Sequence, residues 1–177
     1  MLENLIGSDF PPQVLVFIIS ALPIVELRGA IPVAINLFHL PWYEALGLSL
    51  IGNMLPVPFL LLFFESLLKV VNRTDTGKKL SEWFLKKTRQ RAKVVEKYER
   101  IGLMLFVAIP LPWTGAWTGS IIAFLLGIKF SRALLSIAYG VTIAGAIVVC
   151  LCLLGWVGAV IAGVGLGALA IIGLLKS

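Results

Sequence analysis

Two long apolar stretches, one in each half of the chain, are interrupted by residues that break helices. The segment ELRGAIP at 26–32 interrupts the apolar stretch 14–40, and PLPWTGAWTG at 110–119 interrupts the stretch 101–128. A straight helix would place these breakers near the middle of each stretch, where their backbone hydrogen bonds would be lost. Each pattern therefore predicts two half-helices that meet at a turn.

The two interruptions occupy corresponding positions. Gly29 aligns with Gly115 at an offset of 86, while Gly52 aligns with Gly140 at an offset of 88. The helix starts at 42–46 and 130–134 keep the second offset. Matched, broken apolar segments in two halves are typical of transporters built from inverted repeats, whose substrate site lies at the bilayer midplane.

Composition places the chain in a membrane. Of its 177 residues 59% are hydrophobic, and the mean hydropathy is +1.01. Such a chain cannot cover itself with polar surface, so lipid must be most of its solvent. We expect a single membrane domain over 1–177, divided into repeat one at about 13–71, a basic connector at about 72–100, repeat two at about 101–153 and a final transmembrane helix at about 155–175.

Charge gives a predicted topology. Eleven of the 15 Lys and Arg residues fall within 69–100, which the positive-inside rule makes cytoplasmic. The predicted fold is an all-α polytopic integral membrane protein of the inner membrane, with inverted repeats, two facing re-entrant hairpins and about three full transmembrane helices. The first hairpin enters from outside and the second from the cytoplasm. The alternative is six full spans with proline kinks.

The connector and the last span suggest partners. Residues 78–100 intersperse apolar side chains among basic ones, as in a cytoplasmic amphipathic helix on an anionic leaflet. This helix either binds lipid head groups or only connects the repeats. Small residues recur every four positions at Gly155, Ala159, Gly163 and Gly167, which suits either packing within the subunit or a homodimer seam.

Glu26 and Arg28 are the ionisable residues of segment 26–32. Charges inside a bilayer are costly and usually mark a substrate or proton pathway. In a non-helical turn both side chains can face one cavity, where Glu26 would carry a proton and Arg28 would bind a phosphate or carboxylate. The alternative is a mutually neutralising pair that joins the hairpin tip to backbone carbonyls.

Several neighbours are candidates for the same pathway. Half-helices beginning near Gly29 and Thr114 would direct partial positive charge at the midplane, which suits an anionic group. The aromatic rings and hydroxyls of 113–118 either line the pathway or pack and bond to freed carbonyls. The candidate pathway residues are Glu26, Arg28, Gly29, Pro32, Asn53, Pro110, Pro112, Trp113, Thr114, Gly115, Trp117, Thr118 and Gly119.

The motifs at 26–32 and 110–119 resemble the small multidrug export family, which is itself similar to the DedA superfamily. The resemblance covers most of the chain. It implies facing re-entrant hairpins and, for DedA-like proteins, lipid translocation, including flipping of undecaprenyl phosphate, often with proton dependence. DedA-like proteins usually carry a further acid and arginines in their hairpins. Here 101–128 has no ionisable residue, so a two-acid proton relay is not expected.

These features predict a transporter or flippase for an amphiphilic, anionic or lipid-linked substrate, with protons as the candidate coupling ion. One alternative is a small multidrug exporter of cations that uses Glu26 as the substrate carboxylate; another is a non-transporting scaffold. We expect no enzyme, cofactor, metal site or nucleic-acid partner, because His39 is the single histidine and the carboxylates are scattered. Cys150 and Cys152 are expected to be small packing residues.

Overall fold

The computed structural model describes residues 10–71, 99–110 and 114–155, with the single positions 157, 158, 160 and 163. All regular elements in these ranges are helical, which confirms the predicted class. The helices are α1 Pro12–Ala21, α2 Glu26–Pro32 with a π-helical continuation Val33–Leu37, α3 Trp42–Met54, α4 Pro56–Val71, α5 Glu99–Ala108, α6 Ala116–Leu125 and α7 Phe130–Leu153.

Some predictions concern residues outside this description. They include the amphipathic helix at 78–100 apart from its last two residues, most of the final span at 155–175, and the pathway candidates Pro112 and Trp113. The division into two repeats and a connector stays a prediction.

Helix length divides the structure into two kinds of element. Trp42–Phe64 and Phe130–Leu153 contain 23 and 24 residues with hydropathies of 1.9 and 2.3, enough to cross a hydrocarbon core of about 30 Å. In contrast, Pro12–Ala21 and Ala116–Leu125 are apolar helices of 10 residues each. At about 1.5 Å per residue each covers only about half of that core.

The break in the first half lies earlier than the sequence predicts. The turn occupies residues 22–25, and Glu26–Pro32 is helical. Leu22 is extended, with φ −72° and ψ 140°, because the residue before a proline avoids the helical conformation and Pro23 follows it. The expectations of a non-helical turn at Glu26 and Arg28 and of a helix start near Gly29 are therefore wrong.

Pro32 does not break the chain either. It ends α2, and the following turn widens so that the Phe38 amide donates to the Val33 carbonyl at 3.1 Å. A proline removes one helical donor, and a wider turn accommodates the loss. In the second half the break is where the sequence predicts it: α5 ends at Ala108 and α6 begins at Ala116, two residues beyond Thr114.

The first long span, Trp42–Phe64, consists of α3 and the first part of α4, and the second is α7. Both spans contact both halves of the molecule. Helix α3 packs on α1 and α7 packs on α5, so each lies against the first short helix of its own half. Helix α4 packs on α6 and α7 packs also on α2, so each half contacts the second short helix of the other. The largest buried cluster accordingly combines residues of α2, α4, α5, α6 and α7.

Two aligned glycines allow the close approach of helices within each half. A Cβ at Gly52 would contact the Ser20 hydroxyl and lie 2.5 Å from the Phe17 carbonyl oxygen of α1. A Cβ at Gly140 would lie 2.7 Å from the Met104 carbonyl oxygen of α5. Both contacts involve backbone, which cannot move aside as a flexible side chain would.

We expect Gly52→Ala and Gly140→Ala each to destabilise the protein by about 1–3 kcal/mol, the usual cost of overpacking a tight contact. Gly47→Ala is the matched control, because Gly47 lies on α3 with open space around its Cα. Thermal unfolding in detergent measures all three. A Gly52→Ala protein as stable as Gly47→Ala would contradict the packing described here.

Candidate functional site

Glu26 begins α2 in a strained conformation. Its φ is 50°, in the left-handed region, which costs a residue other than glycine about 1–2 kcal/mol. Its side chain is only 4% exposed. A buried acid held in such a backbone conformation inside a membrane protein is a candidate functional group.

The carboxylate of Glu26 lies at the N-terminus of α6, in the other half of the chain. The Trp117 amide donates to Oε1 at 3.3 Å, and the Ala116 amide lies near the carboxylate. The first amides of a helix have no partner within it and carry partial positive charge. The side chain of Glu26, which belongs to α2, therefore caps the N-terminus of α6. It occupies the position where the sequence predicted an anionic group to bind.

Gly115 makes this contact sterically possible. A Cβ at this position would overlap the carboxyl group of Glu26. The Gly115 backbone is extended, with φ −84°, so conformational freedom is not the reason for glycine here. What the position requires is the absence of a side chain.

Arg28 binds the other end of the break between α5 and α6, where α5 ends. Its Nη2 donates to the Ile109 carbonyl oxygen at 3.2 Å and to Thr114 Oγ1 at 3.1 Å. The Thr114 hydroxyl donates to the same carbonyl oxygen at 2.7 Å. Ile109 directly follows α5, so Arg28 places positive charge where a helix C-terminus carries partial negative charge.

A further hydrogen bond runs from α6, in the second half, to the end of α1 at the first break. The indole Nε1 of Trp117 donates to the carbonyl oxygen of Ala21, the last residue of α1, at 3.2 Å. The breaks at 22–25 and 109–115 therefore supply partners for each other's helix ends. We call Glu26, Arg28, Thr114, Gly115 and Trp117 the tip cluster.

The tip cluster balances charge across the halves. Glu26 and Arg28 attract each other electrostatically, and each also matches the dipole of the helix end that it contacts. This arrangement explains why 101–128 needs no ionisable residue of its own. The bond from Arg28 to a backbone carbonyl is the contact that a structural pair requires, and the same pair lies at the break where a transport site is expected.

The other candidates lie around this cluster. Thr118 and Gly119 are buried in the first turn of α6, and a Cβ at Gly119 would press on Val107 of α5. Gly29 packs against Val25, Pro32 ends α2, and Pro110 lies in the second break. Asn53 is fully buried one helix away.

Sequence reasoning missed the two carbonyl acceptors, Ala21 and Ile109, and also the buried Ser49. The signal for the first was Pro23, whose effect on Leu22 fixes where α1 ends. The signal for Ser49 was its spacing of four residues from Asn53, which puts both on one helix face.

We expect Gly115→Ala to displace the Glu26 carboxylate and destabilise the protein, while the same change costs little once Glu26 is alanine. Contacting residues typically show coupling free energies of about 0.5–3 kcal/mol in such a double-mutant cycle. Unfolding in detergent of the wild type, both single variants and the double variant gives the coupling. An equal penalty for Gly115→Ala in both backgrounds would contradict the contact.

Comparison with known proteins gives the chain a family. A family model described as "Putative small multi-drug export protein" matches residues 26–147, well over half of the chain. The match begins at Glu26 and includes both interrupted segments. No curated protein and no solved structure matches. Together with two apolar helices long enough to cross a bilayer, the match indicates a membrane protein, and the chain belongs to the small multidrug export family.

Proposed function

We propose that the protein is a membrane transporter for amphiphilic substrates, with the tip cluster as its proton- and substrate-binding centre. The observation that carries this proposal is the incomplete hydrogen bonding of the Glu26 carboxyl group. Oε1 accepts from Trp117, whereas the buried Oε2 has no hydrogen-bond partner among the described residues. A buried acceptor without a partner is costly, and a proton on that oxygen reduces the cost by removing the charge.

Protonation of Glu26 would change the cluster as a whole. The ionised carboxylate neutralises Arg28 and covers the amides at the start of α6. Once protonated, it is a weaker acceptor, and the cluster gains one unit of positive charge. An anionic head group then finds the Trp117 amide at the start of α6 and a guanidinium at one place. Proton binding and anion binding would thus favour each other.

This coupling suits an anionic or lipid-linked substrate. A guanidinium presents paired donors that match phosphate or carboxylate oxygens. A lipid chain can remain in the bilayer while only its head group passes the tip cluster. A flippase for a lipid phosphate, which the resemblance to DedA-like proteins suggests, is therefore the form of transport that we propose.

We also propose that the short helices form two re-entrant hairpins related as inverted repeats. Helices of 10 residues suit elements that enter a bilayer halfway. The exchange of contacts between halves, with α4 on α6 and α7 on α2, is what a pseudo-two-fold relation would produce. The proposal retains an inner-membrane location with the basic connector in the cytoplasm.

Export of cationic drugs is the second candidate, and the family description favours it. In that case Glu26 would bind the cation directly. The positive charge of Arg28 beside Glu26 opposes this reading, because like charges repel in a medium of low dielectric constant. A scaffold without transport is the third candidate, favoured by the number of hydrogen bonds that join the two breaks.

We expect Glu26→Gln to abolish pH-dependent transport in proteoliposomes while the folded yield stays near that of the wild type. The neutral amide cannot carry a proton, yet it can still accept from the Trp117 amide. Transport of a lipid phosphate and of a lipophilic cation is measured against external pH. Glu44→Gln is the control, because Glu44 lies in the first turn of α3, far from the tip cluster.

The same assay tests the charge of the substrate through Arg28→Lys. We expect weaker competition by lipid phosphate because lysine lacks the guanidinium fork. Tight binding of the cation, unchanged in Arg28→Lys, would replace the anionic substrate with the drug-export alternative. Unchanged transport in both Glu26→Gln and Arg28→Lys would exclude the tip cluster from transport.

We expect cysteines placed at Glu44 and Lys129, in a protein without Cys150 and Cys152, to react with an impermeant thiol reagent from opposite sides of the membrane. In the inverted arrangement Glu44 is outside and Lys129 is cytoplasmic. Labelling in right-side-out and inverted vesicles measures both. Reaction of position 129 from outside would contradict the re-entrant topology.

A further inference from the structure

A second group of buried polar atoms lies on α3, which packs on α2. Ser49 and Asn53 are both 0% exposed. Ser49 Oγ, Asn53 Nδ2 and Asn53 Oδ1 have no hydrogen-bond partner among the described residues, and neither has Glu26 Oε2. Buried polar groups in proteins are almost always bonded to protein or to ordered water. These four atoms therefore need polar partners other than the side chains and backbone groups described.

Helix geometry brings Ser49, Asn53 and Glu26 to the same level along the packed helices α2 and α3. Ala45, Ser49 and Asn53 follow each other at intervals of four on α3, and Glu26 and Ala30 do so on α2, so each set shares one helix face. Ala30 and Ala45 belong to one buried cluster. Because the short connection at 38–41 makes α2 and α3 antiparallel, moving one turn back along α2 corresponds to moving forward along α3. Glu26 thus lies opposite the Ser49–Asn53 part of α3.

The depth of this group suits a water-filled site. Asn53 is the middle residue of the apolar helix Trp42–Phe64, so lipid offers it no hydrogen bonds. The neighbouring Gly52 contacts the last full turn of α1. The Gly52 carbonyl cannot accept the usual helical hydrogen bond from residue 56, because Pro56 has no amide hydrogen. The site therefore combines the Ser49 hydroxyl with the acceptor and the donor of the Asn53 amide.

Water fits this combination better than a cation does. A bound cation would satisfy Ser49 Oγ and Asn53 Oδ1 but would leave the Nδ2 donor without an acceptor. Exchanging the amide oxygen and nitrogen does not help, because both atoms lack partners. A water molecule both donates and accepts, and two to four polar partners are what a buried water needs.

We propose that Ser49 and Asn53, in the first half of the protein, hold internal water that reaches Oε2 of Glu26, and that protons reach and leave Glu26 through this water. The inference rests on the proposed function, because it supplies the proton that Glu26 carries. Val141 stands at the position aligned with Asn53 and is 1% exposed. The route is therefore built into one half only.

Few charged groups of the described residues lie near Glu26. Arg28 is the charged group that interacts with it. Helices α1 and α6 contain no charged residue, Glu44 lies at the opposite end of α3, and Arg132 lies in the first turn of α7, away from the part of α7 that packs on α2.

The test follows protonation of Glu26 by time-resolved infrared spectroscopy after a pH jump, in protein reconstituted into nanodiscs. The carboxyl band of Glu26 is identified by its loss in Glu26→Gln. We expect Asn53→Leu to slow the appearance of this band at least about tenfold, equivalent to a barrier about 1.4 kcal/mol higher. Asn53→Ser, which keeps a hydroxyl and leaves room for water, should restore most of the rate, and Ser49→Ala should give an intermediate rate.

Ser120→Ala is the matched control. Ser120 is 1% exposed, but its hydroxyl already donates to the Ala116 carbonyl oxygen at 2.7 Å. It therefore needs no water, and its loss should leave the rate unchanged. An experimental structure should also contain ordered water within hydrogen-bond distance of Asn53.

The outcomes separate this inference from the proposed function. If Glu26 of the wild type never protonates, the proton-carrying role proposed for it is wrong. If Glu26 protonates at the same rate in the wild type and in Asn53→Leu, the water route is wrong and the proton-carrying role stands. If Na⁺ stabilises the wild type but not Asn53→Ser or Asn53→Leu, the site binds a cation and the water proposal is overturned.

Discussion

A carboxylate inside a membrane is stable only where protein groups replace the water that it has lost, and in this protein the replacement comes from the other half of the chain. Glu26 receives the Trp117 amide at the start of α6, while Arg28 reaches the carbonyl at the end of α5. Because the polar groups of irregular buried backbone need partners from protein or water, each break obtains part of its partners from the other half. The two halves therefore depend on each other at this point.

The rest of the packing serves this contact. Gly115 leaves the space that the carboxyl group occupies, and the unusual φ of Glu26 directs its side chain toward α6. Gly52 and Gly140 hold each long helix close to the first short helix of its half. The long helices then cross over to the second short helix of the opposite half. Small residues at the contacts allow backbones to approach, as in other membrane helix bundles.

The same cluster explains how a structural pair and a transport site can coincide. A pair that only stabilised the fold would have no reason to leave Oε2 without a hydrogen-bond partner among the described residues. A site that only bound substrate would have no reason to satisfy the helix ends so fully. In the proposed mechanism the hydrogen bond from the Trp117 amide to Glu26 helps to join the two breaks, and protonation of Glu26 weakens it. The same contacts would then stabilise the fold when Glu26 is ionised and allow transport when Glu26 is protonated.

The sequence by itself determined the helical class, the membrane environment, the two interruptions and, as candidates, all five members of the tip cluster. Hydropathy and helix-breaking residues are local properties, so they can be read along the chain. It did not determine where the first break lies, because the effect of Pro23 on Leu22 was hidden inside an apolar run. Nor did it reveal that Glu26 caps α6 or that Arg28 binds the Ile109 carbonyl. Those contacts join residues more than 80 positions apart, and only the tertiary packing of the two halves decided which helix end each charge would meet.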